Sequence, residues 1–175
     1  LVLSWSPTHC ASQPNNPVDS QCNPRSGRAY SFIMHGLWPQ HDVGWPESCP
    51  TRQRPFVPES TISRMMDVMP SRRLVRHEWE KHGVCTGMGA AEYYGKARTA
   101  FGNVRIPAGF QSPKNARTVA PAKIRDEFVA ANPGLPREAV TVNCAGRFLS
   151  EVRVCVGKDL KGRACSAEVQ RQACR

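Results

Sequence analysis

Three of the five histidines in this 175-residue chain fall in two short segments dense in groups that move protons. The first segment reads Phe32-Ile33-Met34-His35-Gly36-Leu37-Trp38-Pro39, with His35 just before a glycine turn. The second reads His77-Glu78-Trp79-Glu80-Lys81-His82-Gly83-Val84-Cys85. Residues four apart stack on a helix, so His77 is expected to face Lys81 and Glu78 to face His82. These four groups then share one broad arc, while Trp79 and Glu80 point elsewhere, Trp79 as a packing anchor. A zincin box needs histidines four apart. Here the spacing is five, which sets the two rings about 140° apart around the axis. No metal site and no cofactor are expected. A solvated helix with ordinary ion pairs would explain the charges alone. It would not explain a carboxylate, a lysine and two histidines converging near one helix end.

Two imidazoles with a lysine suit cleavage of a phosphodiester beside a 2′-hydroxyl. One group must take the hydroxyl proton and another must protonate the leaving 5′-oxygen; imidazole, with an ordinary pKa of ~6.5, does either. Negative charge gathers in the transition state, where Lys81 and a further protonated histidine would stabilise it. DNA lacks that nucleophile, and a DNA nuclease would ordinarily call for a metal site. The charge balance agrees. There are 24 Lys and Arg against 14 Asp and Glu, a net +10, which implies a polyanionic partner. The plainer alternative is charge that only aids solubility.

These segments need rigid mounts. Leu1 to Trp5 and Ala29 to His35 read as strands, the second buried on both faces. Ser6 to Gly27 reads as loop, broken by Pro7, Pro14, Pro17 and Pro24. Gln40 to Pro58 is also irregular, with four prolines and Cys49, a length that is usually functional or pinned by a crosslink. Ser60 can cap a helix carrying Ile62, Met65, Met66 and Met69 as core filler. Ser71 can cap the next, with Gly83 as its left-handed end. Further helices are predicted over Ala90 to Phe101 and Pro121 to Ala131. Two alternating strands follow, Val140 to Cys144 and Phe148 to Val156, the second with Phe148, Ser150, Val152, Val154 and Val156 on one face. Strands at both ends with helices between them predict an α+β fold, and the length predicts a single domain over residues 1–175.

Eight cysteines occur with no CxxC spacing, which favours four disulfides and an oxidising compartment over reduced buried thiols. Counting leaves about 105 pairings open. No run is long enough to span a membrane. Leu1 to Trp5 lacks the features of a signal peptide, so any export signal is expected to lie outside this sequence.

The segments FIMHGLWP and HEWEKHGVC resemble the two active-site signatures of the ribonuclease T2 family, in the expected order and separation, and the cysteine placement is similar across nearly the whole chain. The resemblance implies a central, mostly antiparallel sheet packed with several helices and stapled by disulfides. It implies a secreted or periplasmic endoribonuclease that cuts single-stranded RNA to 2′,3′-cyclic phosphates and then to 3′-phosphates. His82 is implied as general base and His35 as general acid, with the roles reversed in the second step. Lys81 and Glu78 are implied to stabilise the pentacoordinate state, and His77 to bind phosphate. Trp38 matches a base-stacking position. Leu74 stands where many relatives place an aromatic residue in a second base site, and Ser4 where several carry a base-contacting glutamine. Base specificity is therefore expected to be low.

An ionised Glu78 beside a phosphate dianion would repel it, so it either holds Lys81 or His82 in place or is itself protonated. The implied pairings are Cys10–Cys22, Cys49–Cys85, Cys144–Cys174 and Cys155–Cys165. His9 and His41 match no motif. A monomer is the default. The alternative function is a catalytically weak RNA-binding or recognition protein on the same fold. A zinc hydrolase, a basic toxin-like module and a structural protein each leave one or both segments unexplained.

Overall fold

Four short strands each carry apolar residues that only a shared sheet can bury. In the computed structural model, which describes residues 1–13, 19–23, 28–51, 56–112 and 116–174, they are β1 (Val2–Trp5), β2 (Phe32–Gly36), β3 (Val140–Ala145) and β4 (Phe148–Val154). They form one antiparallel sheet in the order β2-β1-β4-β3. Met34, Leu3, Val152 and Val142 lie opposite one another across the sheet, and all are buried. Side chains alternate along a strand, so the next row, Ile33, Ser4, Glu151 and Asn143, turns to the other face. The sheet thus has one apolar face and a second face on which polar groups gather.

The helices are α1 (Ser6–Ser12), α2 (Glu59–Met65), α3 (Arg72–Lys81), α4 (Ala90–Gly102), α5 (Pro121–Ala131) and α6 (Ala167–Arg171). Ile62, Met65, Val75, Trp79, Tyr93, Ala97, Ile124 and Phe128 from these helices join the apolar row of the sheet in one core. Each large apolar side chain buried there contributes roughly 1.5–3 kcal/mol. The architecture is α+β, as the element order predicts. The disulfides join Cys10 to Cys22, Cys49 to Cys85, Cys144 to Cys174 and Cys155 to Cys165, the pairings implied by the resemblance.

Several local expectations are corrected. Residues 6–12 form a helix rather than a loop, because Pro7 falls in the first turn, where its missing N–H costs nothing. The prolines at 14, 17, 24 and 55 lie outside the described residues. Strand β2 begins at Phe32, not Ala29. Helix α2 starts at Glu59 after Pro58 instead of being capped by Ser60, and it ends at Met65; Met69 lies beyond it, yet is fully buried. Gly83 is not a left-handed cap. It opens a short 3-10 turn, and Gly87 takes the positive φ of 74°. Gly83 is required for a different reason: a Cβ there would collide with the ring of Trp79. In β4 the register shifts between Asn143 and Cys144 of its partner, which breaks the expected single face and leaves Phe148 61% exposed. The short C-terminal helix α6 was not expected.

Candidate functional site

His35 is the extra residue of a β-bulge. Val2 pairs with Gly36 and Leu3 with Met34, so nothing on β1 opposes His35. Bulges re-aim a side chain, and this one points the imidazole between two carboxylates. Its Nδ1 lies 3.0 Å from Oε1 of Glu151, and its Nε2 lies 3.5 Å from Oε1 of Glu78. Burial by itself would lower the His35 pKa. The Glu151 hydrogen bond and the charges of Glu78 and Glu151 outweigh it, so the pKa is raised above 6.5.

Helix α3 delivers the second segment. Ser71 caps it as predicted, its hydroxyl accepting from Leu74 N–H at 3.2 Å. The apolar side chains Val75 and Trp79 fix its inner face. Glu78 is only 1% exposed. Its Oε2 accepts the indole N–H of Trp38 at 2.6 Å. Burial pushes the Glu78 carboxyl up, opposed by His35, the Trp38 hydrogen bond, His77 and Lys81. Gly36 makes room for this contact: a Cβ there would collide with the Glu78 carboxylate and meet the Trp38 nitrogen at 2.7 Å.

The expected pairing of Glu78 with Lys81 or His82 is replaced. The helix ends at Lys81, and His82 leaves it with φ −120°, so four-apart stacking does not reach it. The cation facing Glu78 is His35, and Lys81 instead lies 3.5 Å from Glu47. His82 is 4% exposed and its Nδ1 has no hydrogen-bond partner among the described residues. Burial, with the nearby charge of Lys81, lowers its pKa to about 4. Trp38 lies between the two imidazoles. It stacks on His82, with centroids 4.7 Å apart and planes at 24°, and meets His35 edge-on at 5.3 Å. It is therefore packed in the site rather than presenting a free face.

Trp38, Gln40, Trp45, Glu47, Lys81, His82, Arg153 and Gln172 line a recess of about 190 Å³. The loop after the first segment is tied down at both ends. Ser48 N–H donates to Lys81 O at 2.7 Å, Cys49 is bonded to Cys85, and Gly44 N–H donates to Glu168 of α6 at 3.0 Å. Ser48 takes a left-handed φ of 51°, a conformation costing roughly 1–2 kcal/mol that these tethers hold in place. His77 is exposed, and its charge reaches Glu78 and His82. Leu74 is partly buried against the core and does not line the recess. His41 is exposed, and His9 pairs with Asp19 at 2.7 Å. A larger groove of about 640 Å³, between residues such as Asn103, Leu135 and Lys161, contains none of the expected site residues.

Sequence reasoning missed Glu151, Arg153 and Trp45. The first two stand on β4 among valines, and a charged residue on each of two alternate positions was their only signal. Trp45 is a 42% exposed tryptophan in a tethered loop.

One histidine with a raised pKa and one with a lowered pKa thus share a single indole beside a recess lined by Lys81 and Arg153. The Ribonuclease T2 family model matches residues 1–165, and the chain belongs to that family. It is an endoribonuclease of that family. A ribonuclease of Aeromonas hydrophila is 34% identical over 98% of this chain and 77% of its own length. Among solved structures, the crystal structure of RNase NT in complex with 5′-AMP superposes with a TM-score of 0.69 at 24% identity, covering 94% of this chain and 88% of that one. An RNase-related protein from Calystegia sepium superposes with a TM-score of 0.70 at 23% identity, covering 95% and 89%. No helix among the described residues is long and apolar enough to cross a membrane.

Proposed function

We propose that the chain cleaves single-stranded RNA by attack of the 2′-hydroxyl on the adjacent phosphate, giving 2′,3′-cyclic phosphates and then 3′-phosphates. The observation that carries this reading is the opposite bias of the two imidazoles. Neutral His82 takes the 2′-hydroxyl proton, and protonated His35 gives one to the leaving 5′-oxygen. Environments that push two pKa values apart assign the acid and the base. In the second step His35 takes a proton from water and His82 returns one. Lys81, 40% exposed at the mouth of the recess, exchanges Glu47 for the phosphate and stabilises the charge of the transition state. His77 contributes to phosphate binding.

Substrate entry moves the indole of Trp38 off His82, freeing both the base and a stacking surface. Trp45 supplies a second aromatic surface. A recess of about 190 Å³ suits a splayed base, which single strands offer and duplexes do not. Stacking tolerates every base, so base specificity is low. The complex of RNase NT with 5′-AMP supports nucleotide binding on this fold. Residues 1–175 act as one catalytic unit and as a monomer. Four disulfides support an oxidising compartment, secreted or periplasmic.

The test is digestion of poly(U) and poly(A) in excess chelator, with end groups identified. Both polymers should give cyclic and then 3′-phosphates, and 2′-deoxy polymers should be inert. His35→Phe and His82→Phe should each remove nearly all turnover. Near-native turnover in either variant, or 5′-phosphate ends, would refute the mechanism.

A further inference from the structure

Glu151 stands on β4, two strands from β2. Strands lie ~4.8 Å apart, so ~10 Å separates the two backbones. The Glu151 and His35 side chains meet above β1 beside Ser4, which pairs with Glu151 on one side and Ile33 on the other. Serine is short enough to leave that space open; a long side chain at position 4 would stand in it.

Both oxygens of Glu151 are engaged. Oε1 lies 3.0 Å from His35 Nδ1, and Oε2 accepts from Nε and Nη2 of Arg153 at 3.1 and 3.0 Å. Arg153 is anchored in turn: its Nη1 donates to Oε1 of Gln172 at 2.6 Å, and its guanidinium lies 5.3 Å from the Trp38 ring centroid. The carboxylate cannot turn without giving up charge-assisted bonds on both sides. Burial would raise the Glu151 pKa, but His35 and Arg153 hold it below the usual carboxylate range, so it stays ionised. The other titratable and charged groups around His35 are Glu78 on α3 at 3.5 Å and, more weakly, Arg153 and the neutral ring of His82.

We propose that Glu151 is the positioning residue of His35, fixing the ring through Nδ1–H so that Nε2 is the atom that exchanges a proton with substrate. This rests on the reading of His35 as general acid given above. In the cleavage step the P–O5′ bond breaks and its electron pair goes to O5′, which takes the proton from Nε2. The ring is left neutral with Nδ1–H still donated to Glu151, and Glu151 takes no proton. Because Nδ1 keeps its hydrogen throughout, Nε2 is free to accept a proton from water in the second step. Arg153 keeps the carboxylate in register for both.

The experiment compares Glu151→Gln, Glu151→Asp and His35→Ala on a dinucleoside phosphate across pH. Glu151→Gln keeps the length and removes the charge. Its kcat should fall about 10- to 100-fold, less than the ~10²–10⁴ that a general acid supplies itself, with little change in KM. The alkaline limb of kcat/KM should move down by about one pH unit, and Glu151→Asp should restore much of that shift. In the wild-type protein, nitrogen NMR should show neutral His35 carrying its hydrogen on Nδ1, a readout that needs no variant to fold. An unmoved alkaline limb in folded Glu151→Gln, or a neutral His35 protonated on Nε2, overturns the positioning role. Wild-type turnover in His35→Ala removes the general-acid reading and the proposal with it. Wild-type turnover in Glu151→Gln beside an inactive His35→Ala defeats the positioning role alone.

Discussion

The indole of Trp38 lies nearly flat on the imidazole of His82, with ring centroids 4.7 Å apart, while its N–H donates to Glu78 at 2.6 Å. One side chain thus covers the His82 ring and satisfies the buried carboxylate that faces His35. Trp38→Phe keeps the stack and removes the donor. The unsatisfied Glu78 oxygen should cost about 1–3 kcal/mol in denaturant unfolding. Trp38→Ala should also uncover His82, so its pKa rises from about 4 toward 6.5 and the acid limb of kcat/KM moves up. An acid limb that stays in place would show that the indole does not set the environment of His82.

The two imidazoles should give kcat/KM a broad plateau, with an acid limb near pH 4 from His82 and an alkaline limb above 6.5 from His35. A rate–pH profile measured from pH 3 to 9 checks this; a flat profile counts against the pair.

The same shifts act on stability, with opposite signs. His82 has its folded pKa lowered, so its contribution, about 3 kcal/mol, is complete above pH 6.5 and is lost as pH falls toward about 4. His35 has its folded pKa raised, so its contribution is present below 6.5 and fades as pH rises through the folded value. The urea midpoint of wild type minus that of His82→Phe, taken between pH 7 and 4, should fall as the solution is acidified. A difference that rises on acidification would refute the assignment for His82.

Gly36→Ala should disable the site without touching a proton-transfer group. Its methyl would collide with the Glu78 carboxylate and crowd Trp38. Overpacking typically costs about 1–3 kcal/mol, and turnover should fall well beyond what lost stability explains. Native turnover in Gly36→Ala would show that the carboxylate and indole can part freely.

Replacing Cys49 and Cys85 together by serine should lower stability by roughly 2–5 kcal/mol. It should also raise KM more than it lowers kcat, because that bond tethers the loop bearing Trp45 and Glu47 rather than His35 or His82. A fall confined to kcat would place the effect in the acid–base pair instead.

Much of this was legible in the chain. The capping serine at 71, the apolar positions of α3 and the buried run at 32–34 are local patterns, and local patterns follow from helix and strand periodicity. Helix α1 was hidden because Pro7 reads as a breaker unless its position in the first turn is known. The stacking of Glu78 with His82 failed for a related reason. The four-apart rule holds only inside a helix, and α3 ends at Lys81.

The sequence by itself determined which groups are candidates for the proposed chemistry, since His35, Glu78, Lys81 and His82 declare themselves by type and spacing. It also determined the α+β class through its apolar periodicities. Tertiary structure alone decided which carboxylate meets which imidazole. The His35–Glu151 contact spans 116 residues and depends on a bulge in β2 and on β1 lying between the two strands. Proton affinity follows from burial and from charges within a few ångströms, so the two histidines came to differ in pKa only when the fold gave one two carboxylates and buried the other under an indole.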